Sequence, residues 1–254
     1  MLVPVIHGHR LSSLCLAALA KSLGWGCELV VALSGKKASS RSQMEYIACK
    51  LLENPHGTSL PAILNQALLE GRGEYLAVVR EDVLVRPDWL PPLLAALKED
   101  PEAAVASSLV LDARGEVYHA GDQLRRASED DAQLVPLRGG EKAASFRGTE
   151  RVPALALHCA LLRRDLALEI GSFDEEGYPY PGTYADVDWT LMACLAGYHS
   201  LVIGASRVLH LDPEPGREDR SWDEASKRNL RLLLKRWASA EAEPLRAILE
   251  EAFP

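Results

Sequence analysis

Residues 2–34 read LVPVIHGHRLSSLCLAALAKSLGWGCELVVALS. The apolar run from Met1 to Ile6 suits a buried strand. Leu11, Leu14, Cys15, Ala18 and Leu19 then fall on one face of a helix, and Gly24 and Gly26 punctuate its end. Glu28 to Leu33 is a second strand-like run, closed by Ser34-Gly35. Strand, helix and strand at this spacing form a βαβ unit and imply a parallel pair.

Outward from that unit the alternation continues. Residues 36–42 are polar and read as a loop. Leu60 to Leu69 is helical, stopped by Gly71 and Gly73, and Tyr75 to Val79 is a third buried strand. That strand runs directly into Arg80-Glu81-Asp82. Pro87-Asp88-Trp89 opens a further helix, which tolerates Pro91 and Pro92 only in its first turn and ends near Glu99-Asp100-Pro101. Val105 to Leu111 is a fourth strand. Residues 112–150 are polar and Gly-rich, and predict a hairpin or irregular insert. Val152 to Leu162 is apolar again. A helix is expected over Ala185–Ala196, and short strands over Leu201–Ile203 and Val208–Leu209. Residues 212–221 read as a mobile charged loop, followed by a basic helix over Trp222–Trp237 and an acidic one over Pro244–Phe253. The pattern is that of an α/β fold. Ligands in such sheets bind beyond the carboxyl ends of the strands, so His7, Ser34, Glu81, Asp82 and His210 are the residues to inspect.

Composition narrows the function classes. Of 254 residues, 48% are hydrophobic and 25% charged, which suits a globular chain able to bury a sizeable core. The net charge of -8 argues against a general nucleic-acid binder. The five cysteines, an odd number, have no metal-ligand spacing and are expected to be reduced and mostly buried in a cytosolic protein. No signal peptide and no apolar run of spanning length is apparent, so the expectation is a cytoplasmic, soluble chain, at most peripheral to the inner face of a membrane.

Gly-rich phosphate cradles, the nucleophile elbow and the H-E-x-x-H zinc motif are all absent. What remains are carboxylates at strand ends. Glu81-Asp82 at the end of a buried strand is costly unless solvated or bound to a cation, and hard oxygen ligands suit Mg²⁺ or Mn²⁺. Asp186 and Asp188 flank Val187 at the start of a helix. There a carboxylate can cap the helix, or serve as a general base if it reaches a hydroxyl. Alone, His210 and Asn65 suit structural roles, and Trp89 and Trp189 suit the core.

The order of these pieces resembles glycosyltransferase family 2, the inverting nucleotide-sugar transferases of GT-A fold, and most of all its bacterial rhamnosyltransferase-like members of surface-polysaccharide synthesis. The resemblance runs from about Leu2 to Trp237. It rests on Asn54 to Ala67 with Gly73-Glu74-Tyr75-Leu76, and on Val79 to Leu90, where an acidic motif precedes P-D-W-L. It also rests on Gly171-Ser172-Phe173-Asp174-Glu175, on Tyr184 to Trp189 with Gly197-Tyr198, on His210, and on Arg228-Asn229. Three positions depart from the family pattern: Val31 to Gly35 carry no acid, Arg80-Glu81-Asp82 is less acidic, and Ala185 replaces a glutamate.

The resemblance implies a mostly parallel, Rossmann-like nucleotide-binding sheet flanked by helices, with a mixed acceptor-side part. It implies one domain over 1–237, with a nucleotide-sugar half (1–111) and an acceptor half (112–211), followed by a loop and C-terminal helices (212–254). Asp82 and His210 would hold Mg²⁺ or Mn²⁺, and Asp186 would be the general base. Pro4, Ser34, Asn65 and Glu81 would line the nucleotide sugar, and Asp188 and Trp189 the acceptor side. The implied partners are a nucleoside-diphosphate sugar and a carbohydrate or lipid-linked acceptor, with a homodimer and peripheral membrane contact as further expectations. For the basic helix, packing on the domain with a solvated face is preferred to lipid contact, since its apolar residues make no clean stripe. Two alternatives stand beside transfer: a transferase fold that binds without turnover, and a nucleotidyltransferase, which would release pyrophosphate.

Overall fold

The computed structural model describes residues 1–6, 12–24, 26–35, 49–128, 131–211 and 220–238. β1 (Leu2–Val5), α1 (Ser12–Ser22) and β2 (Val30–Ser34) form the βαβ unit, with Leu2 opposite Val30 in a parallel ladder. β3 (Lys50–Asn54) extends this sheet, parallel to β2. Its sequence, Lys-Leu-Leu-Glu-Asn, is too short and too polar to announce a strand, as befits an edge position. α2 (Leu60–Glu70) follows, and buries Pro61, Leu64, Asn65 and Leu68 at helical spacing. β4 (Tyr75–Val79), the two-residue β5 (Val83–Leu84), α3 (Leu90–Glu99) and β6 (Ala103–Leu111) come next. Pro91 and Pro92 lie in the first turn of α3, where they remove no helical hydrogen bond.

The polar insert is a short strand, β7 (Val117–His119), and a hairpin of β8 (Asp122–Ser128) with β9 (Asp131–Pro136). β10 (Thr149–Val152), β11 (Cys159–Arg163) and α4 (Arg164–Ile170) lead to α5 (Ala185–Leu195), β12 (His199–His210) and α6 (Arg220–Ala238). The two short strands expected near residues 201 and 208 are one strand. A register shift between Ile203 and Arg207 interrupts its apolar pattern without ending it. The expected loop at 36–42 and helix at 244–253 lie outside the described residues, as does most of 212–221.

Sheet order is β10-β12-β6-β11-β4-β1-β2-β3. β11 is antiparallel to both β4 and β6, and β12 is parallel to β6. The carboxyl ends of β1, β2, β4, β6 and β12 therefore share one edge of the sheet, and β11 begins there. One apolar layer packs α2 and α5 on the sheet through Ile63, Leu64 and Trp189. The opposite layer packs α1 and α3 through Leu16, Leu19, Trp89 and Leu93. A third cluster joins α5 to α6 through Leu191, Leu233 and Trp237. In α1 the buried face is Ser12, Cys15, Leu16 and Leu19, so Leu14, expected inside, is exposed. All five cysteines are free, and Cys15, Cys159 and Cys194 are buried.

Candidate functional site

The shared carboxyl edge gathers the chemistry. β4 delivers Arg80-Glu81-Asp82, and β12 ends on His210, which pairs with Val83 across the short ladder to β5. Asp82 and His210 are both buried, and His210 Nε2 lies 3.6 Å from Asp82 Oδ2. Arg80 Nη2 lies 3.4 Å from the same oxygen. Asp82 Oδ1 is buried and accepts no hydrogen bond among the described residues. A buried carboxylate oxygen without a partner is costly in an apolar setting. An oxygen of this kind beside an imidazole is a donor set that fits a divalent cation such as Mn²⁺ or Mg²⁺.

Glu81 turns the other way. Its carboxylate accepts the Ile6 N–H at 3.0 Å and the Ser12 hydroxyl at 2.8 Å. It thus ties the exit of β1 to the start of α1. This bond also explains the rotated face of α1, since Ser12 is drawn inward to reach Glu81.

Sequence reasoning missed a ring cluster around His210. Tyr118 of β7 tilts against His210 at 4.6 Å, and His158 meets it nearly edge-on at 5.5 Å. His119 tilts against His158 at 4.6 Å, and its Nε2 lies 2.9 Å from Asp122 Oδ2. These rings fix the plane in which His210 faces Asp82, as second-tier groups orient a ligand. Burial, then the neighbouring His119, Arg80 and His210, hold His158 neutral, far below the usual imidazole range. A lone histidine inside the apolar run Leu155–Leu162 was the available signal. β11 begins at the functional edge, so the residue before it points there.

α5 brings Asp186. Tyr184, just before it, sits at φ 70°, a left-handed conformation that is strained for a bulky side chain and recurs at functional sites. Asp186 Oδ2 accepts the Leu157 N–H at 2.8 Å, and Oδ1 accepts the Val187 N–H at 3.0 Å. Burial raises its carboxyl above the ordinary range, and the two N–H groups and Arg80 partly oppose that rise. Asp186 lines a narrow cleft together with Pro4, Arg80, Glu81, Thr183 and Trp222.

Other expected residues lie elsewhere. Ser34 ends β2, and its hydroxyl donates to Thr58 O at 2.9 Å. Asn65 was expected at the nucleotide. Instead its amide donates to Phe173 O at 2.8 Å and its carbonyl accepts the Phe173 N–H at 2.8 Å, so it locks α2 to the 171–175 turn. Asp188 was expected on the acceptor side. Its oxygens instead accept Trp237 Nε1–H at 2.7 Å and an Arg236 N–H at 2.9 Å. Trp189 is a core residue: it packs on Phe173 and donates to Gly171 O at 2.9 Å. His7 lies outside the described residues.

Two features at the opposite edge are not part of this cleft. Asp100, Glu102 and His199 cluster at the amino ends of β6 and β12. There Asp100 is already engaged by His199 at 2.8 Å and Arg151 at 3.3 Å. A hollow of about 550 Å³ opens near Met1, Tyr75 and Arg164, at the starts of β1 and β4. Open α/β sheets place ligands at the other ends of their strands.

Residues 14–171, more than half of the chain, match glycosyl transferase family 2, and the chain belongs to that family. A curated relative, uncharacterized protein y4gI of Sinorhizobium fredii (strain NBRC 101917 / NGR234), is 24% identical over 204 residues. That match takes in 77% of this chain but only 22% of the relative's length. Among solved structures, GalNAc-T7 with UDP, GalNAc and Mn²⁺ is similar at TM-score 0.65 and 18% identity, over 93% of this chain and 47% of that one. Mannosyltransferase PcManGT from Pyrobaculum calidifontis, in complex with GDP-Man and Mn²⁺, gives TM-score 0.63 and 18% identity, over 98% and 67%. S. aureus TarS 1-349 with UDP-GlcNAc gives 0.61 and 16%, over 98% and 70%. The fold is GT-A. Among the described residues no helix is long and apolar enough to cross a membrane.

Proposed function

We propose that the chain transfers a sugar from a nucleoside-diphosphate sugar to a hydroxyl of a carbohydrate or lipid-linked acceptor, with inversion and with help from Mg²⁺ or Mn²⁺. One observation carries this reading. Asp82, with an unpartnered buried oxygen, meets His210 at the carboxyl edge of the sheet, and Arg80 beside Asp82 lines the same cleft as Asp186. The solved relatives hold UDP or GDP-Man together with Mn²⁺, or UDP-GlcNAc, on the same fold. Residues 1–111 would serve the nucleotide and 112–211 the acceptor.

The cation, when bound by Asp82 and His210, supplies positive charge toward the departing diphosphate. Asp186 takes the acceptor hydroxyl proton as that oxygen forms its bond to the anomeric carbon. The bond from that carbon to the diphosphate breaks on the opposite face, so one displacement inverts the centre. The transition state has oxocarbenium character, as in glycoside hydrolysis. Two backbone N–H groups hold the Asp186 carboxylate fixed, which limits the reorganisation needed for proton transfer.

A thermal-shift panel of UDP, GDP, dTDP, ADP and CMP, each with Mn²⁺ and with EDTA, tests the site. At about 100 times its dissociation constant, a ligand adds about 2.7 kcal/mol. The expected result is a shift for one base, larger with Mn²⁺, whose metal-dependent part disappears in Asp82→Ala. A metal-dependent shift that survives in Asp82→Ala would sink the metal assignment.

A further inference from the structure

Arg80 has no assigned role in the mechanism above, yet it stands at the centre of the site. It is the first residue beyond β4, and its backbone is held on both sides. Its N–H donates to His158 O at 2.9 Å, and its carbonyl accepts the Val83 N–H at 3.1 Å. Its side chain is 33% exposed, whereas that of Asp82 beside it is 2% exposed. Among the described residues the guanidinium makes one hydrogen bond, the long 3.4 Å contact to Asp82 Oδ2. A guanidinium carries five N–H donors, so most remain available to a ligand in the cleft that Arg80 lines.

The surrounding charge sets the need. Asp82, Glu81 and Asp186 all act on Arg80 and are all acidic. A cleft lined by Glu81 and Asp186, with Asp82 beside Arg80, repels a diphosphate unless positive charge offsets the carboxylates. The planar fork of an arginine suits phosphate oxygens in a way a point charge does not.

Resting on the donor-site reading above, we infer that Arg80 is a resident cation for the leaving diphosphate, acting beside the metal, so that donor-nucleotide binding persists when metal is removed. Arg80 forms no bond in the reaction. It offers N–H donors to phosphate oxygens whose negative charge grows as the sugar departs. The competing role is that Arg80 merely neutralises Asp82.

Calorimetric titration of UDP, GDP, dTDP, ADP and CMP into the whole chain separates the two. Wild type, Arg80→Lys and Arg80→Met are each measured in Mn²⁺ and in EDTA, with melting curves as a check on folding. Wild type should still bind one nucleotide in EDTA. Arg80→Met should weaken that binding by about 10- to 100-fold, the scale of one charge-assisted hydrogen bond, and Arg80→Lys should fall between. In Mn²⁺ the loss should be smaller. Equal or tighter binding by Arg80→Met in EDTA overturns the inference and leaves Arg80 as a counter-ion to Asp82. So does a wild type that binds in Mn²⁺ and not at all in EDTA, which needs no variant to fold. A folded wild type that binds none of these nucleotides under either condition overturns the donor-site reading itself.

Discussion

Asp186 faces a conflict between burial and use. Burial raises its carboxyl above the ordinary carboxylate range, whereas a general base must be ionised. The acid limb of the pH–rate profile should therefore lie above that range, with activity rising as pH climbs through it. Asp186→Asn should lower turnover by about 10²- to 10⁴-fold and leave nucleotide affinity unchanged. A limb at the pKa of a free aspartate, or an active Asn variant, would remove Asp186 from the role. At this scale the positions of Asp82, His210 and Asp186 stood out because each follows an apolar run or opens a helical one, while the roles proposed for them came from the family resemblance. Arg80 was seen but given no task. His119, His158 and Tyr118 were not legible, because their roles depend on β7 and β11 running antiparallel to their neighbours, and a single sequence does not reveal that.

α5 shows why an Asp-x-Asp pair need not act as one. On a helix, two residues of separation turn the side chain by about 200°, so the second carboxylate faces away from the first. Asp186 faces the cleft, and Asp188 faces α6, where Trp237 and Arg236 hold it. Asp188 is thus a latch for the C-terminal helix. Trp237→Phe keeps the ring packing but removes the N–H that Asp188 accepts, and should cost about 1–3 kcal/mol, read as a lower melting temperature. Unchanged melting would mean that the Trp237–Asp188 hydrogen bond adds nothing to the stability of the fold. The same element explains the basic face seen in sequence. Asn229, Leu233 and Trp237 are buried, while Lys227, Arg231 and Lys235 stay outward. The helix is thus packed on the domain with its basic face outward.

For the whole molecule, the buried His158 imidazole couples folding to pH. His158 is held neutral in the fold, while in the unfolded chain it titrates near 6.5. The unfolded state therefore binds the extra proton first. Stability from this group is complete above about pH 6.5 and falls as pH drops below it, by at most about 1.4 kcal/mol per pH unit. His158→Phe retains a ring against Tyr118 and His210 and should flatten the melting temperature between about pH 7 and pH 5. An equally steep variant would show that other groups set the slope. The α/β class and the order of the central elements were legible because buried strands and amphipathic helices leave strong periodic signals. β3, α4 and the continuity of β12 were not. A short, polar edge strand, a two-turn helix and a bulge each weaken the pattern that sequence reading relies on.

The most direct test is product analysis of the nucleotide-sugar reaction, with wild type and Asp186→Asn compared in Mn²⁺ and in EDTA. UDP- and GDP-sugars would be supplied with a hydroxyl acceptor and the released nucleotide identified. The account predicts that wild type releases a nucleoside diphosphate, fastest with Mn²⁺, and that Asp186→Asn releases almost none. Release of pyrophosphate, or no release from a folded protein that binds the nucleotide, would contradict it.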